Sequence, residues 1–465
     1  MIELTLSKIA EVTNGKLIGD DITINSLSTD TRTTKTGDLF LALRGANFDG
    51  HKFVSQAENA GCSALVVDHQ VDAALPQVIV EDTLKALGLI GAYVKREVAP
   101  KTVAITGSSG KTTVKEMVAA ILSRLGNVLA TKGNFNNDIG VPLTLLRLKP
   151  EHDFAVIELG ANHLGEIAYT TSLVKPDVAI INNIAAAHLE GFGDLCGVAR
   201  AKGEIYQGIG EDGVALYNQD CKYANKWLWR LENKKVKRFS CHSESDCYST
   251  DVVLDDNGYA NFTLHTEIGH TYINLKLPGK HNVCNAVAAA AITLEFGASL
   301  QDIQLGLADM TPVKGRSNLY QLGEQWKLID DTYNANVESI KAAIDLLASY
   351  PGRKVLILGD MGELGSEARS YHQEVGEYAA NSDIDDLLTI GVLSQNTSDA
   401  FNRIREDKGL HFSDRAKLMN TLQALLQDEE QQVSILVKGS RSAHMELVVS
   451  DILTWRDCQI AEENN

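Results

Sequence analysis

The run Thr106-Gly107-Ser108-Ser109-Gly110-Lys111-Thr112-Thr113 constrains this chain more than any other stretch. It follows the apolar residues Val103-Ala104-Ile105 and precedes a helical pattern from Val114 to Leu125. A strand, a glycine turn and a helix N-terminus in that order make an anion cradle. Backbone N–H groups face the anion, and the positive end of the helix dipole adds to the attraction. Glycines permit close approach, Lys111 can reach terminal phosphates, and the Thr112 hydroxyl is placed to ligate Mg²⁺. The common phosphate loop spaces its glycines more widely, whereas only Ser108 and Ser109 separate Gly107 from Gly110. An ordinary glycine turn accounts for the glycines but not for the Gly-Lys-Thr-Thr run that follows. The stretch predicts nucleotide binding, with Gly107, Ser108, Ser109, Gly110, Lys111, Thr112 and Thr113 as contacts.

A length of 465 residues suggests about three domains. With 43 Lys and Arg against 61 Asp and Glu, the net charge of −18 argues against a nucleic-acid or acidic-membrane partner. Met1-Ile2-Glu3-Leu4 lacks a basic segment followed by an apolar run, so no secretory leader is expected. The most apolar stretch, Ala286 to Leu294, is too short to span a bilayer. Seven cysteines without a Cys-x-x-Cys pair predict free thiols in a reducing cytoplasm.

The predicted fold class is α/β with three domains. Residues 1–83 carry short strand-like runs (Leu39 to Leu43, Ala64 to Val67, Val78 to Val80) in a small N-terminal α/β domain. Residues 84–312 alternate strands and helices in the manner of a parallel sheet, giving a central ATPase domain built on the phosphate loop. Residues 313–465 restart the pattern at Lys354 to Asp360, Leu387 to Gly391 and Ile435 to Gly439, a Rossmann-like C-terminal domain. Ligands in open α/β sheets sit at the carboxyl ends of strands, so those ends are candidate contacts. The polar stretch Cys221 to Thr271 reads as an inserted β-rich segment.

A phosphate loop needs a metal site. Glu158 ends the apolar run Val156-Ile157, where a carboxylate is costly unless paired, metal-bound or at a solvated sheet edge. His188 follows another strand, and a lone loop histidine of this kind is commonly just satisfied locally. Lys202, in Ala199-Arg200-Ala201-Lys202, reads by itself as a solvated helical lysine. Lys314-Gly315-Arg316 supplies positive charge where the last segment begins, and Asp330-Asp331 ends the run Trp326 to Ile329.

The order of these residues resembles the Mur ligases, ATP-dependent amide ligases that extend the peptide stem of the peptidoglycan precursor. The shortened phosphate loop, Glu158, His188, Lys202, Asn282 to Asn285, Arg316 and Asp330-Asp331 all fall in matching order over essentially the whole chain. Gly133 to Pro142, Asp331 to Asn336, Leu358 to Gly365 and Val437 to Arg441 carry the likeness further. Val337 departs from the usual proline after Asn-Ala-Asn, and the Asp-Asn-Pro-Arg motif of the ligase adding the third stem residue is absent.

The resemblance implies UDP-N-acetylmuramoyl-tripeptide and D-alanyl-D-alanine as substrates, ATP and Mg²⁺ as cofactors, and a monomer. It implies that Lys111 meets the ATP β/γ-phosphates, that Thr112 and Glu158 bind one Mg²⁺, and that His188 helps hold a second. Lys202 is implied to be carbamylated by CO₂, its anion orienting the metals. Asn282, Asn285, Arg316 and Asp331 are implied to contact the nucleotide. Ser28, Arg32 and the block Arg44, Gly45 to His51 are implied to hold the UDP end. Asn134, Asn136 and Asn137 are assigned to the sugar–peptide, and Asn334, Asn336, Asp360, Glu363, Lys438 and Ser440 to the remaining substrate contacts. A nucleotide-driven switch or a non-catalytic nucleotide-binding module also accounts for the phosphate loop but leaves the C-terminal blocks without a job. Within the family, a folate polyglutamate ligase is the nearest rival.

Overall fold

The computed structural model describes residues 1–45, 48–427, 429 and 431–463, with side chains to residue 458. Among the described residues three large sheets lie in sequence order, within residues 16–79, 101–278 and 318–438, with two further two-stranded pairings in the N-terminal part. Among the described residues no helix is long and apolar enough to cross a membrane.

The central sheet has nine strands. Its first six neighbours are parallel: Val128–Ala130, Phe154–Glu158, Lys101–Thr106, Val178–Ile181, Val214–Asn218 and Lys235–Ser240. Alternation along these strands sends side chains to two cores. Val103, Ile105, Val156, Val178 and Ile180 pack on one face with helices Lys111–Leu122 and Lys280–Leu294. Ala104, Ala155, Ile157, Ala179 and Ile181 join residues of helices Thr83–Val98 and Glu166–Val174 on the other. A strand sandwiched this way needs apolar residues at both parities, which is why these runs are continuously hydrophobic.

The stretch Cys221 to Thr271 is β-rich, but it is not a separate insertion. Strand Lys235–Ser240 extends the parallel sheet. Cys247–Leu254 pairs parallel to it, and Tyr259–Thr266 and Gly269–Pro278 close the sheet as an antiparallel meander. Only one face of this end is covered, so Cys247–Leu254 and Tyr259–Thr266 alternate buried and partly exposed residues, a weaker signal than a continuous apolar run.

The C-terminal sheet runs Asn318–Leu322, Trp326–Asp331, Val433–Lys438, Arg353–Gly359, Asp386–Ile390, Gly409–Phe412, parallel after an initial hairpin. The chain leaves Trp326–Asp331 and returns last to the strand beside it. The carboxyl ends Asp331 and Lys438 therefore meet at a switch in strand order, where ligands of open α/β sheets bind. The N-terminal sheet orders Lys16–Ile18, Gln77–Ile79, Ala64–Val67, Leu39–Leu41, Leu27–Ser28. The core of one face is continuous through all three units, from Leu39 and Val66 through Ile157 and Ala179 to Ile340 and Leu356.

Asp360, just past strand Arg353–Gly359, holds the next loop together. Its carboxylate accepts from the N–H groups of Val392, Leu393 and Ser394 at 2.9, 3.1 and 2.8 Å. Burial pushes its pKa up, but these donors outweigh it and leave the carboxyl below its ordinary value. Asp360→Ala is expected to lower stability by roughly 1–3 kcal/mol at pH 7 in denaturant unfolding. Because the folded pKa is the lower one, the gap between wild type and variant should be full above about pH 4 and close as pH falls through the folded value.

Candidate active site

Helix Lys111–Leu122 starts from Gly110, whose φ of 75° suits glycine, and its open first turn faces a cavity of about 1570 Å³ between the central and C-terminal units. The loop before it is braced from the adjoining strand end. Ser108 N–H donates to Asn183 O at 3.1 Å and Ser109 N–H to Asn183 Oδ1 at 2.8 Å. Ser108 Oγ donates to Ala185 O at 3.1 Å. Those two amides are engaged, whereas the N–H groups of the helix's first turn are left without intrahelical partners.

Glu158 is 2% exposed at the end of an interior strand, so the solvated-edge alternative does not hold. Its Oε2 accepts from Thr112 Oγ1 at 3.0 Å and its Oε1 from Asn136 Nδ2 at 2.9 Å. Arg316 Nη2, from the C-terminal unit, donates to the same Thr112 Oγ1 at 3.0 Å, its guanidinium stacked 4.1 Å from the Tyr333 ring centre. Lys111 Nζ bends back to Gly107 O at 2.8 Å. Burial lowers the Lys111 pKa, with Glu158 opposing and Arg316 reinforcing the shift.

His188 lines the cavity in a left-handed conformation, φ 55°, and its Nδ1 is paired with the Glu363 carboxylate. The His188 hydrogen bond is the largest influence holding Glu363 below its ordinary pKa. Lys202 corrects the solvated-lysine reading: it is 1% exposed, with Nζ 5.9 Å from the Phe192 ring centre. Burial, with the Lys111 charge nearby, holds its pKa well below the ordinary lysine range. It ends helix Leu195–Lys202, and the next residue, Gly203, packs against the buried Trp227.

Asn282 and Asn285 are buried and joined in one chain of amides. Asn285 Nδ2 donates to Asn282 Oδ1 at 2.9 Å, Asn182 Nδ2 donates to Asn285 Oδ1 at 3.1 Å, and Asn182 Nδ2 also reaches Ser109 O at 3.1 Å. Asp331 pairs with Lys438 at 2.6 Å and accepts from Ser317 N–H at 3.1 Å, and Lys438 also donates to Asn334 O at 3.0 Å. Asn134, Asn136, Asn137 and Asn334 line the cavity. Asn336 also caps helix Val337–Ala348 with Ser339, so Val337 sits behind a fully formed capping box. Gly107, Lys202, Asp360 and Ser440 are not among the cavity-lining residues. Asn182, Asn183, Tyr333 and His281 line it without having been singled out, although Asn182-Asn183 follow a strand and so carried the strand-end signal.

The N-terminal residues lie apart from this cavity. Arg32 is exposed and forks onto Asp30 at 2.9 and 2.6 Å. Buried Ser28 bonds Asp30 O at 3.0 Å, and Arg44 pairs with Asp68 at 3.1 Å. His51 Nδ1 meets Asp49 Oδ1 at 2.7 Å. Gly45 lies in the exposed pairing of Arg44–Gly45 with Phe48–Asp49, and Ala46 and Asn47 of that block lie outside the described residues. The free-thiol expectation holds for Cys62, Cys196, Cys221, Cys247 and Cys458 and is corrected for Cys241, which is bonded to Cys284.

The chain matches three family models: Mur ligase family, catalytic domain (residues 23–110), Mur ligase middle domain (105–293), and Mur ligase, glutamate ligase domain (315–441). It is 51% identical to the UDP-N-acetylmuramoyl-tripeptide–D-alanyl-D-alanine ligase of Escherichia coli, covering 97% of this chain and 98% of that one. A crystal structure of MurF from Acinetobacter baumannii aligns with TM-score 0.93 at 40% identity, over 98% of this chain and 99% of that one. The MurF ligase of Thermotoga maritima in complex with ADP aligns with TM-score 0.84 at 25% identity, over 93% and 98%.

A Cβ on Gly110 would lie 2.4 Å from Asn285 Oδ1 and 2.6 Å from Asn182 Nδ2, on a backbone that already disfavours side chains. Gly110→Ala should therefore break the amide chain and lower thermal stability by roughly 1–3 kcal/mol. Calorimetric unfolding beside a distant Gly210→Ala control, where the added Cβ meets open space, checks this.

Proposed function

The chain belongs to the Mur ligase family, and we propose from that premise that it joins D-alanyl-D-alanine to UDP-N-acetylmuramoyl-tripeptide using ATP, giving the muramoyl pentapeptide precursor of peptidoglycan, ADP and phosphate. The observation that carries the reading is the convergence of Lys111, Thr112, Glu158 and Arg316, contributed by two units, on one cavity. We assign residues 1–83 to the UDP end, 84–312 to ATP and 313–465 to the amino substrate, in a cytoplasmic monomer.

A peptide carboxylate does not react with an amine at neutral pH, because oxide is its leaving group. Transfer of the γ-phosphoryl group makes an acyl phosphate, whose leaving group is phosphate. The dipeptide amine then attacks the acyl carbon, the carbon–oxygen bond to phosphate breaks, and the amine loses a proton. Such chemistry depends on positioning and charge neutralisation. Lys111 exchanges Gly107 O for phosphate oxygens, and Arg316 adds positive charge from the C-terminal unit. The Thr112 hydroxyl and Glu158 carboxylate are hard oxygen donors that would hold Mg²⁺, with His188, oriented by Glu363, beside them; Lys202 would join them as an oxygen-bearing carbamate. A Mg²⁺ held there would supply charge neutralisation for phosphoryl transfer. The Asn282–Asn285–Asn182 chain fixes the loop, and Asp331 and Lys438 fix each other at the amino-substrate end. Closure of the C-terminal unit excludes water that would hydrolyse the acyl phosphate.

Buried and short of hydrogen-bond partners, Lys202 is suited to be a neutral amine. It attacks CO₂ to give a carbamate and one released proton.

A coupled ADP assay with UDP-N-acetylmuramoyl-tripeptide tests the reading. Turnover is expected with D-alanyl-D-alanine and not with single amino acids, and preference for glutamate with a folate acceptor would overturn it. Lys111→Ala and Glu158→Ala should each reduce ADP formation by at least about 10³-fold, and near-normal turnover in either removes the proposed centre. Lys202→Ala should lose activity that a short-chain carboxylic acid restores; full activity without the acid rules out the carbamate.

A further inference from the structure

Cys241 and Cys284 lie 43 residues apart in sequence but with Cα atoms 5.5 Å apart, within the span of a disulfide, and their sulfurs are bonded. Each sits on a held element. Cys241 follows strand Lys235–Ser240, and its N–H donates to Asp220 Oδ2 at 3.0 Å while Ser240 Oγ donates to the same carboxylate. Cys284 lies on helix Lys280–Leu294 between Asn282 and Asn285, whose amide chain runs through Asn182 to the phosphate loop. Cys284 and His242 line the cavity, and neither cysteine is fully buried, so small reagents reach the pair. By contrast, burial pushes the Cys62 thiol up to about 11 and Cys247 to about 12, which makes both poor nucleophiles.

We infer that Cys241 and Cys284 are a redox-modification site, closed by exchange with a small-molecule disulfide, and that closing it weakens nucleotide binding. One cysteine thiolate attacks the small disulfide and expels a thiolate, giving a mixed disulfide. The second cysteine thiolate then attacks the protein sulfur, forms the internal bond and expels the second thiolate. Two electrons pass from the protein to the small disulfide, and the two protons end on the released thiols. The bond staples the residue 241–242 segment to the helical turn carrying Asn282 and Asn285, two parts of the wall at one end of the cavity. Phe239 and Val283 share one core, so strand and helix stay packed in either state; reduction frees only the turn carrying Asn282 and Asn285 to adjust around a ligand, and the bond removes that freedom. In a reducing compartment such a bond is transient and sensing rather than structural. The effect on nucleotide rests on the ligase reading above, whereas formation of the bond does not.

The full-length protein treated with glutathione disulfide or with dithiothreitol provides the test, by peptide mapping and by calorimetric titration with Mg-ATP. A cross-linked peptide joining Cys241 to Cys284 is expected only after oxidation, with ATP affinity weakened roughly tenfold. Cys241→Ser should form no cross-link and bind ATP alike in both states. Absence of the cross-linked peptide, equal affinity of oxidised and reduced wild type, or a retained redox response in Cys241→Ser would each overturn the inference. A cross-link without ATP binding in either state counts against the ligase reading and takes the effect on nucleotide with it.

Discussion

The carboxylate of Glu158, 2% exposed at the end of an interior strand, is the charge around which the cavity is organised. Removing a carboxylate from water costs several kcal/mol even after the surroundings relax, unless close donors offset it. Here the donors are a hydroxyl and an amide, Thr112 and Asn136, rather than a cation in contact. The Thr112 hydroxyl has a single proton. Given to Glu158, it leaves only lone pairs for Arg316, and the guanidinium donates to them. Carboxylate, hydroxyl and guanidinium thus form one directed chain from the central sheet to the C-terminal unit. Its position is set by the register that places Ile105 opposite Glu158.

The same economy governs the phosphate loop. With only two residues between its glycines, the loop cannot wrap an anion unaided, and the neighbouring strand end supplies the missing support. Asn183 occupies the Ser108 and Ser109 amides, and Asn182 ties Ser109 O to helix Lys280–Leu294. The helix that begins at Lys111 and the helix that carries Asn285 consequently hold a fixed relation across the loop. Gly110 is needed twice, for its left-handed φ and for the room that Asn182 and Asn285 fill.

What could be read from the sequence follows the range of the interactions. Lys111 and Thr112 were legible because strand, turn and helix start are adjacent in the chain. Glu158 was legible because a carboxylate on an apolar run demands a partner, although Asn136 as that partner was not. Strand positions in the parallel sheets were close to the expected ones because residues buried on both faces leave continuous apolar runs. Lys202 was misread from its own neighbours because its burial, with the Phe192 ring over its Nζ, comes from tertiary packing that the helix pattern does not encode. The Cys241–Cys284 contact and the Asn182–Asn285 bond join positions 43 and 103 residues apart, which spacing alone does not pair. The half-covered meander up to Pro278 was legible as β-rich but not as part of the central sheet, because one solvated face dilutes the hydrophobic signal that marks each strand.

Contacts between the C-terminal unit and the phosphate loop are of a kind that can open. His188 with Glu363 and Arg316 with Thr112 are polar contacts lining the cavity rather than interlocked apolar surfaces. Elsewhere the unit is held differently, with Tyr350 Oη donating to Asn257 O at 2.7 Å and Leu346 packed near Gly258. Breaking the polar contacts at the cavity lets the C-terminal unit shift there while the shared apolar core and the Tyr350 contact hold it elsewhere. An enzyme that must admit three substrates and release a large product, yet keep water from an acyl phosphate between those events, requires that asymmetry.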